Sequence, residues 1–421
     1  MPRREWRTAI ALALAIKAAS LLCLYAGYRL VPQAGYGADL WIVRPGVSFV
    51  DHLANFDGAW FARIAALGYR RLAAGDYDLA AETRRLRVMD QLGYDQARWP
   101  PAPGSARFDR GYGYRHWPLL PGLIRAASAS GLDPVHAGVA LSNLFTVGYG
   151  ILLYYLVRLD HEKKTAVLAV ALSQLHPGAY ALSAVFNESL FLVLAAGAMV
   201  CARRGRWWAA GALAMIAAVS RIDGAILAVP LCYEWLLARA REDGRDGFAG
   251  VLGASNLRRA FHGFIELPGV WWALLIPLGT LSVIVYFYAI TGDALIWTRV
   301  HEVNVHGHVN WPWLMMMETY EKGPEIWMKE LPLHAVLLLT LVLSFRKTRG
   351  SYWAWMLVFF LYHASNANHS YLRYQVQCLP MFIALAQVLG RWRWLAALAL
   401  ISFAALFALF AALFINGYWV A

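Results

Sequence analysis

Charge is scarce in this chain: only 15% of its 421 residues are Asp, Glu, Lys or Arg, against roughly 25% in ordinary globular domains. That shortfall excludes a soluble enzyme and a disordered chain, since neither keeps so little charge in water. Cysteine is scarce too. Cys23, Cys201, Cys232 and Cys378 all fall in apolar stretches without CxxC spacing. This excludes a secreted disulfide scaffold and leaves them as small apolar packing residues. No Walker-type or dinucleotide glycine motif is present, so neither an ATP-driven pump nor a cytosolic nucleotide-binding domain is expected. No period of about 20 to 50 residues marks a solenoid.

Apolar surface is what the chain has in excess, with 60% hydrophobic residues. Its net charge of +12 would hint at nucleic acid in a soluble protein. Here the basic residues sit between apolar blocks, as they do in a bilayer protein, and no nucleic-acid partner is expected. Arg3 and Arg4 precede the first block as in a signal peptide, but no A-x-A-like site ends it, so it reads as a retained span.

A helix needs about 20 residues to cross a hydrocarbon core of ~30 Å. The clearest stretches of that kind run from Arg7 to Tyr28, His136 to Val157, Thr165 to Phe186, Pro268 to Thr291 and Trp394 to Ile415. Weaker ones run from Ser189 to Ala202, Trp207 to Ser220, Gly224 to Ala238, Leu331 to Phe345, Ser351 to Ser365 and Tyr374 to Gly390. Alternate short connections carry Arg3, Arg4 and Arg7, then Arg158, Lys163 and Lys164, then Arg203, Arg204 and Arg206. The series continues with Arg239, Arg241, Arg245, Arg258 and Arg259, then Arg346, Lys347 and Arg349, then Arg391 and Arg393. The positive-inside rule makes these cytoplasmic and predicts eleven spans, with the N-terminus in and the C-terminus out. Two external loops are then long, residues 32 to about 132 and 292 to about 330. Function is expected on that face, because long loops are usually functional. The whole chain, 1–421, reads as one integral-membrane domain of all-α class.

The first loop contains Asn55-Phe56-Asp57-Gly58-Ala59-Trp60-Phe61 and continues to Gly68-Tyr69. Trp60, Ile64 and Leu67 recur at helical spacing and predict a helix lying in the membrane interface. Asp57 at its start is either an N-cap or a general base at the membrane surface. Farther on, Tyr112-Gly113-Tyr114-Arg115-His116-Trp117-Pro118-Leu119-Leu120-Pro121 turns into a second interfacial helix. There Arg115 and His116 bind an anionic headgroup or simply anchor the chain.

The charge-free run from Ser189 to Ala202 has 14 residues, about 21 Å of helix, too short to span. It must continue through Glu188 or past Arg203. A glutamate snorkels poorly, so Glu188, next to Asn187, is expected to face a wet cavity as an intramembrane acid. Arg221 and Asp223 share a tight turn; they pair with each other, or Arg221 is a phosphate ligand, whose fork suits that anion. His363, Asn366, Asn368, His369, Tyr371, Arg373 and Tyr374 gather at the same predicted level. Arg373 lies against the positive-inside rule, which points to an anionic lipid partner. His301, Glu302, His306 and His308 invite a zinc reading, but HExxH needs histidines four apart and His301 and His306 are five apart. They read as structural or substrate-facing instead.

Taken in order, these segments resemble the GPI mannosyltransferase II (PIG-V-like) family of the GT-C class of membrane glycosyltransferases. The likeness is colinear from about residue 51 to 390. It rests on Phe56-Asp57-Gly58 through Gly68-Tyr69, Trp117-Pro118-Leu119-Leu120-Pro121 with Arg125, and Asn187-Glu188-Ser189-Leu190-Phe191. Arg221 with Gly224, Gly292-Asp293, Trp311-Pro312-Trp313, and Arg373-Tyr374 with Pro380 complete it. Phe56 stands where the family has Trp, and residues 70–111 have no counterpart in the pattern.

The resemblance implies a GT-C-like bundle of about eleven transmembrane helices. It implies an inverting hexosyltransferase that takes a sugar, commonly mannose, from a polyprenyl- or dolichyl-phosphate carrier. The acceptor would be a glycolipid, glycan or protein on the non-cytoplasmic face. Asp57 becomes the catalytic acid/base or acceptor-orienting residue, and Arg221 and Arg373 the donor-phosphate ligands. His116 and His363 join them at the phosphate and lipid, while Asn187, Glu188, Tyr374 and His301 face the substrate. No metal is required in principle, since fixed guanidinium charge does the same work. Alanine richness and the lack of a retention signal favour a bacterial plasma membrane. A transporter or flippase, and a non-catalytic scaffold subunit, are the competing readings.

Overall fold

Backbone N–H and C=O groups find no water in a bilayer, so an apolar chain must satisfy them internally, as helices. The computed structural model, which describes residues 3–34, 48–74, 110–242, 268–305, 309–322, 324–366, 370–418 and 420, follows that rule. Its regular elements are α- or 3-10 helices, and one isolated bridge joins Val309 and Asn366. Among the described residues, four helices are long and apolar enough to cross a membrane: Arg3–Leu30, Pro134–Arg158, Val270–Thr291 and Arg393–Ile415. The shortest has 22 residues, about 33 Å at 1.5 Å per residue. The chain is thus an all-α, multi-pass membrane protein.

The remaining predicted stretches are helical over most of their length, but three are broken. Thr165 to Phe186 is expected as one helix; instead Lys163–Gln174 ends before Pro177, and a 3-10 turn follows at Pro177–Leu182. Proline has no N–H to continue the ladder and clashes with the preceding turn. Gly224 to Ala238 begins as the 3-10 segment Ile222–Leu227 before the Ala228–Glu242 helix. Tyr374 to Gly390 is split into Tyr371–Gln375 and Leu379–Leu389, with Pro380 in the first turn of the second helix.

Irregular backbone at this depth needs side-chain partners, and distant helices supply them. Leu182 O accepts from Lys17 Nζ at 3.1 Å and from Thr146 Oγ1 at 2.6 Å. Lys17 Nζ also donates to Ser183 Oγ at 2.7 Å. Val185 N donates to Leu53 O at 2.9 Å, which ties the break to the first loop.

Small residues let backbones approach, as in other membrane bundles. A methyl group on Gly279 would lie 2.4 Å from Met215 O, and one on Gly178 would lie 2.2 Å from Leu372 O. The second contact holds the 3-10 turn directly against the residue before Arg373.

The Asp57–Leu67 helix differs from the expected one. It is buried on all sides rather than along one stripe, because DGAWFARIAAL is apolar nearly all round. The Leu119–Ser128 helix packs over it and does have the expected one-sided pattern, burying Leu120, Pro121 and Ile124.

Charges collect at opposite ends of the bundle. Arg203 pairs with Asp160 at 2.7 Å, and Arg349 pairs with Glu234 at 2.5 Å. Glu188 sits at the other end of the same Glu188–Arg203 helix, 16 residues long and therefore about 24 Å away along the axis.

Candidate active site

Asp57 owes its position to the segment before it. Asp51 Oδ2 accepts from Ser48 N at 3.0 Å and Ser48 Oγ at 2.6 Å, closing a short turn. His52 Nδ1 lies 2.8 Å from Ile415 O, and Asn55 Nδ2 donates to Phe414 O at 3.0 Å. These bonds hang the first loop on the end of the last helix. Phe56 then adopts φ 57° and ψ −126°, a conformation that costs a bulky residue ~1–3 kcal/mol. Packing of its ring on Phe414, 5.9 Å between centroids, holds it there.

The result is that Asp57 does not cap its helix. No side-chain cap bond forms at that N-terminus. Its carboxylate instead faces Arg373, with Oδ2 2.8 Å from Nη2, and His116, with Oδ1 3.6 Å from Nε2. The His116 contact is electrostatic, being too long for a hydrogen bond. The imidazole is fixed by stacking on Trp60 at 5.9 Å and by an edge contact with Phe61 at 5.0 Å.

Arg373 is the centre of the arrangement. Its Nε lies 3.1 Å from Glu188 Oε1, and its guanidinium sits 4.6 Å above the Phe186 ring. The same Glu188 oxygen accepts from Arg221 Nη1 at 3.2 Å. Arg221 also makes a bidentate pair with Asp223 at 2.8 and 3.1 Å, and donates to Asn187 Oδ1 at 2.7 Å. Asn187 completes its own bonding by donating to Ser220 O at 3.0 Å. Both guanidiniums lie over the Tyr374 ring, Arg221 at 5.0 Å and Arg373 at 4.9 Å. The break before Glu188, the turn at Arg221 and the short Tyr371–Gln375 helix therefore bring two cations and three carboxylates together.

Burial would raise the Asp57 carboxyl, but Arg373, followed by His116 and Arg115, outweighs it and holds the group well below the usual carboxylate range. Asp57 is therefore ionised. Burial lowers His116 below its ordinary value, and Asp57 only partly opposes this. Arg373 stays charged: burial opposes the charge, but Glu188 and Asp57 raise its pKa well above normal. Burial and Asp223 act on Arg221 in the same opposed way, with the net shift upward. Glu188 is 1% exposed, and its Oε2 has no hydrogen-bond partner among the described residues.

Of the residues predicted from sequence, Asp57, His116, Asn187, Glu188, Arg221, Arg373 and Tyr374 come together. Asn187 and Asp223 are occupied in holding Arg221, so the mutual Arg221–Asp223 pair exists alongside the contact to Glu188. His363 stands one ring away, 5.6 Å from the Tyr374 centroid. His301 lies on the Ile296–Val305 helix, but its side chain is outside the described residues, as are His306, His308, Asn368 and His369. Among the described residues no group of three or more His, Cys, Asp or Glu side chains gathers as a metal centre.

Sequence reasoning missed Phe186, Gly178 and Lys17. A lone lysine in an apolar segment is a signal in itself, and Pro177-Gly178 inside an apolar run is another.

No family model matches the chain, and no curated protein matches it in sequence. Among solved structures it is similar to ArnT from Cupriavidus metallidurans in the apo state, at 13% identity and a TM-score of 0.43, over 97% of this chain and 76% of that one. Against the same protein bound to undecaprenyl phosphate, the identity is 14% and the TM-score 0.44, over 96% and 76%. Two chains with that little in common can share helices without sharing chemistry.

Proposed function

We propose that this chain is an integral-membrane glycosyltransferase of GT-C-like architecture. It moves a hexose, mannose in the first instance, from a polyprenyl-phosphate carrier to a hydroxyl of a lipid-linked, glycan or protein acceptor. The observation that carries this reading is the Asp57 carboxylate beside Arg373, with Arg221 joined to the same cluster through Glu188. An ionised base within one ion-pair distance of a buried guanidinium is what an inverting transfer from a phosphate ester needs.

In this reading the acceptor oxygen attacks the anomeric carbon as the carbon–oxygen bond to phosphate breaks. The electron pair leaves on the phosphate, and the hydroxyl proton goes to Asp57. Arg373 carries the leaving phosphate, and Arg221 adds its charge from behind. His116 holds the carboxylate on its far side, and Glu188 fixes the spacing of the two cations. A phosphate that draws Arg373 away from Asp57 removes the main influence depressing that carboxyl, so arrival of the donor makes Asp57 a stronger base. Asn187, Tyr374, His363 and His301 belong to the substrate-facing surround.

The same proposal takes all eleven helical stretches as crossings, with the arginine-bearing turns in the cytoplasm and the cluster on the outer face of a bacterial plasma membrane. A transporter is the second reading, because helices broken beside a buried charge cluster also line transport sites. One experiment separates them. Purified protein in lipid, given radiolabelled polyprenyl-phosphate mannose and a membrane lipid extract, should move label to an acceptor. Asp57→Ala should lower that rate by about 10²–10⁴. Equal transfer by the variant removes Asp57 as base, and lipid movement without bond transfer favours the transporter.

A further inference from the structure

Two helices were expected to lie in the membrane interface, and neither offers a broad apolar face. Protein covers Asp57–Leu67 on all sides, and Leu119–Ser128 turns Gly122, Arg125 and Ala126 outward, two small residues and a charge. A face of the missing kind occurs instead on the Pro312–Lys322 helix. At 11 residues, about 16 Å, that helix is too short to cross a bilayer. Its inward side carries Met315, Met316 and Thr319, which line one crevice with His334 and His363 of the two helices behind it.

Its outward side carries Trp313, Leu314, Met317 and Tyr320, with Trp311 just before the first turn. These five are 39% to 65% exposed, and their spacing puts those in the helix on one face. Trp311 and Trp313 stack at 5.3 Å between ring centroids. Glu318 is turned off the face, accepting from Asn310 Nδ2 at 2.6 Å, and the exposed Glu321 closes the row at its far end.

Such a row is seldom left to water, because large contiguous apolar patches mark contact surfaces. Its chemistry says what covers it. The next helix, Pro324–Ser344, turns Val336, Leu339, Val342 and Leu343 outward while burying Leu337 and Leu341, so it presents an aliphatic side to lipid. The row lies just before that helix in the chain, and there aliphatic residues give way to Trp, Tyr and Met, the change found where a bilayer meets water. A second copy of the chain fits less well. A stable dimer buries roughly 800 Å² per partner, about 20–30 residues a side, far more than five side chains supply. The row is also tied to the charged site. Asn310 N donates to Ser365 O at 3.0 Å, and Val309 bridges Asn366, just past His363.

We infer that the Trp311–Tyr320 face is a membrane-docking surface, seated at the boundary between phospholipid headgroups and acyl chains. The inference goes beyond the sugar-transfer reading and stands without it, since it needs only a multi-pass chain in a bilayer.

The test uses the full wild-type chain in phosphatidylcholine nanodiscs holding one chain each. A fraction of the lipid carries a diazirine on the acyl chain, close to the ester carbonyl. After illumination and trypsin digestion, adducts are located by mass spectrometry. The peptide spanning 300–322 should carry them on the five exposed side chains, as the Arg393–Ile415 helix should on Leu398 and Ile401, which also face outward. Hydroxyl-radical footprinting of the same discs, made without the diazirine lipid, should show loss of oxidation at Met317 and Tyr320 relative to the unfolded chain. Adducts on Leu398 and Ile401 but none on 311–320, with Met317 oxidised as in the unfolded chain, would mean that the face meets water and would overturn the inference. Protection of Met317 that appears only in discs holding two chains would give the face to a second copy and overturn it equally. Sugar transfer enters neither readout, so failure of the sugar-transfer reading leaves this result standing, and the reverse.

Discussion

The Asp57–Arg373 pair is open to a double-mutant cycle with Asp57→Asn, Arg373→Gln and the combined variant. The charged atoms are 2.8 Å apart, with side-chain exposures of 23% and 7%. At an effective dielectric of about 20, unit charges ~3 Å apart attract by roughly 5 kcal/mol. Desolvation of the two groups offsets part of this. Arg373 keeps Glu188 as a second partner when Asp57 is neutralised, which softens the loss further. A coupling energy of about 2–3 kcal/mol should remain, while each single variant loses about 3–5 kcal/mol because it strands a buried partner. The assay is equilibrium unfolding in mixed micelles, with size-exclusion profiles as a check on folding. The double variant should be less destabilised than the sum of the singles by that coupling, a factor of roughly 30 to 150 in the unfolding equilibrium. Additivity within about 0.5 kcal/mol would mean that the two groups do not meet in the folded protein.

Other consequences follow from the same contacts. Because the folded Asp57 carboxyl is held below its usual value, its contribution is fully present above the unfolded value of about 3.9 and is lost as pH falls through the folded one. The stability difference between wild type and Asp57→Asn should therefore be flat from pH 8 to about 5 and vanish only in strong acid, as followed by unfolding at stepped pH; a change centred near neutrality would contradict the ion pair. Lys17→Met should cost about 1 kcal/mol, since Leu182 O retains Thr146 as a donor. Adding Thr146→Val should cost more than the sum, because the carbonyl is then buried unpaired, and thermal unfolding of the four variants checks it. Gly178→Ala forces a methyl group to within 2.2 Å of Leu372 O, so it should lower both stability and polyprenyl-phosphate binding by displacing Arg373; retention of wild-type binding would separate that turn from the site.

Much of the cluster is visible in the sequence because charge is so rare there. Glu188 beside an apolar run too short to span, and Arg373 against the charge rule, both stand out from a background that has almost no such residues. Their pairing is not visible. Asp57 at the start of a helical pattern reads equally well as a cap, and only the positive φ of Phe56, held by Phe414, turns it away from that use. Arg221 offers two partners on paper, and in the fold it keeps both, through Asp223 and Glu188. The first-loop helix has the spacing of an interfacial element, but its apolar circumference left room for the Leu119–Ser128 helix to cover it.

The sequence by itself determined that this protein lives in a bilayer as a set of helices, since lipid offers unpaired backbone no alternative and the apolar runs have the needed lengths. It also determined where charges must surface, because each costs too much elsewhere. Only the tertiary structure decided that the breaks at Pro177 and Arg221 and before Pro380 open at one end of the bundle. It also decided that Asp57 meets Arg373 across most of the chain's length, and that Arg221 meets Glu188. Those meetings depend on which helices neighbour one another, and near-uniform apolar faces carry little information about their neighbours.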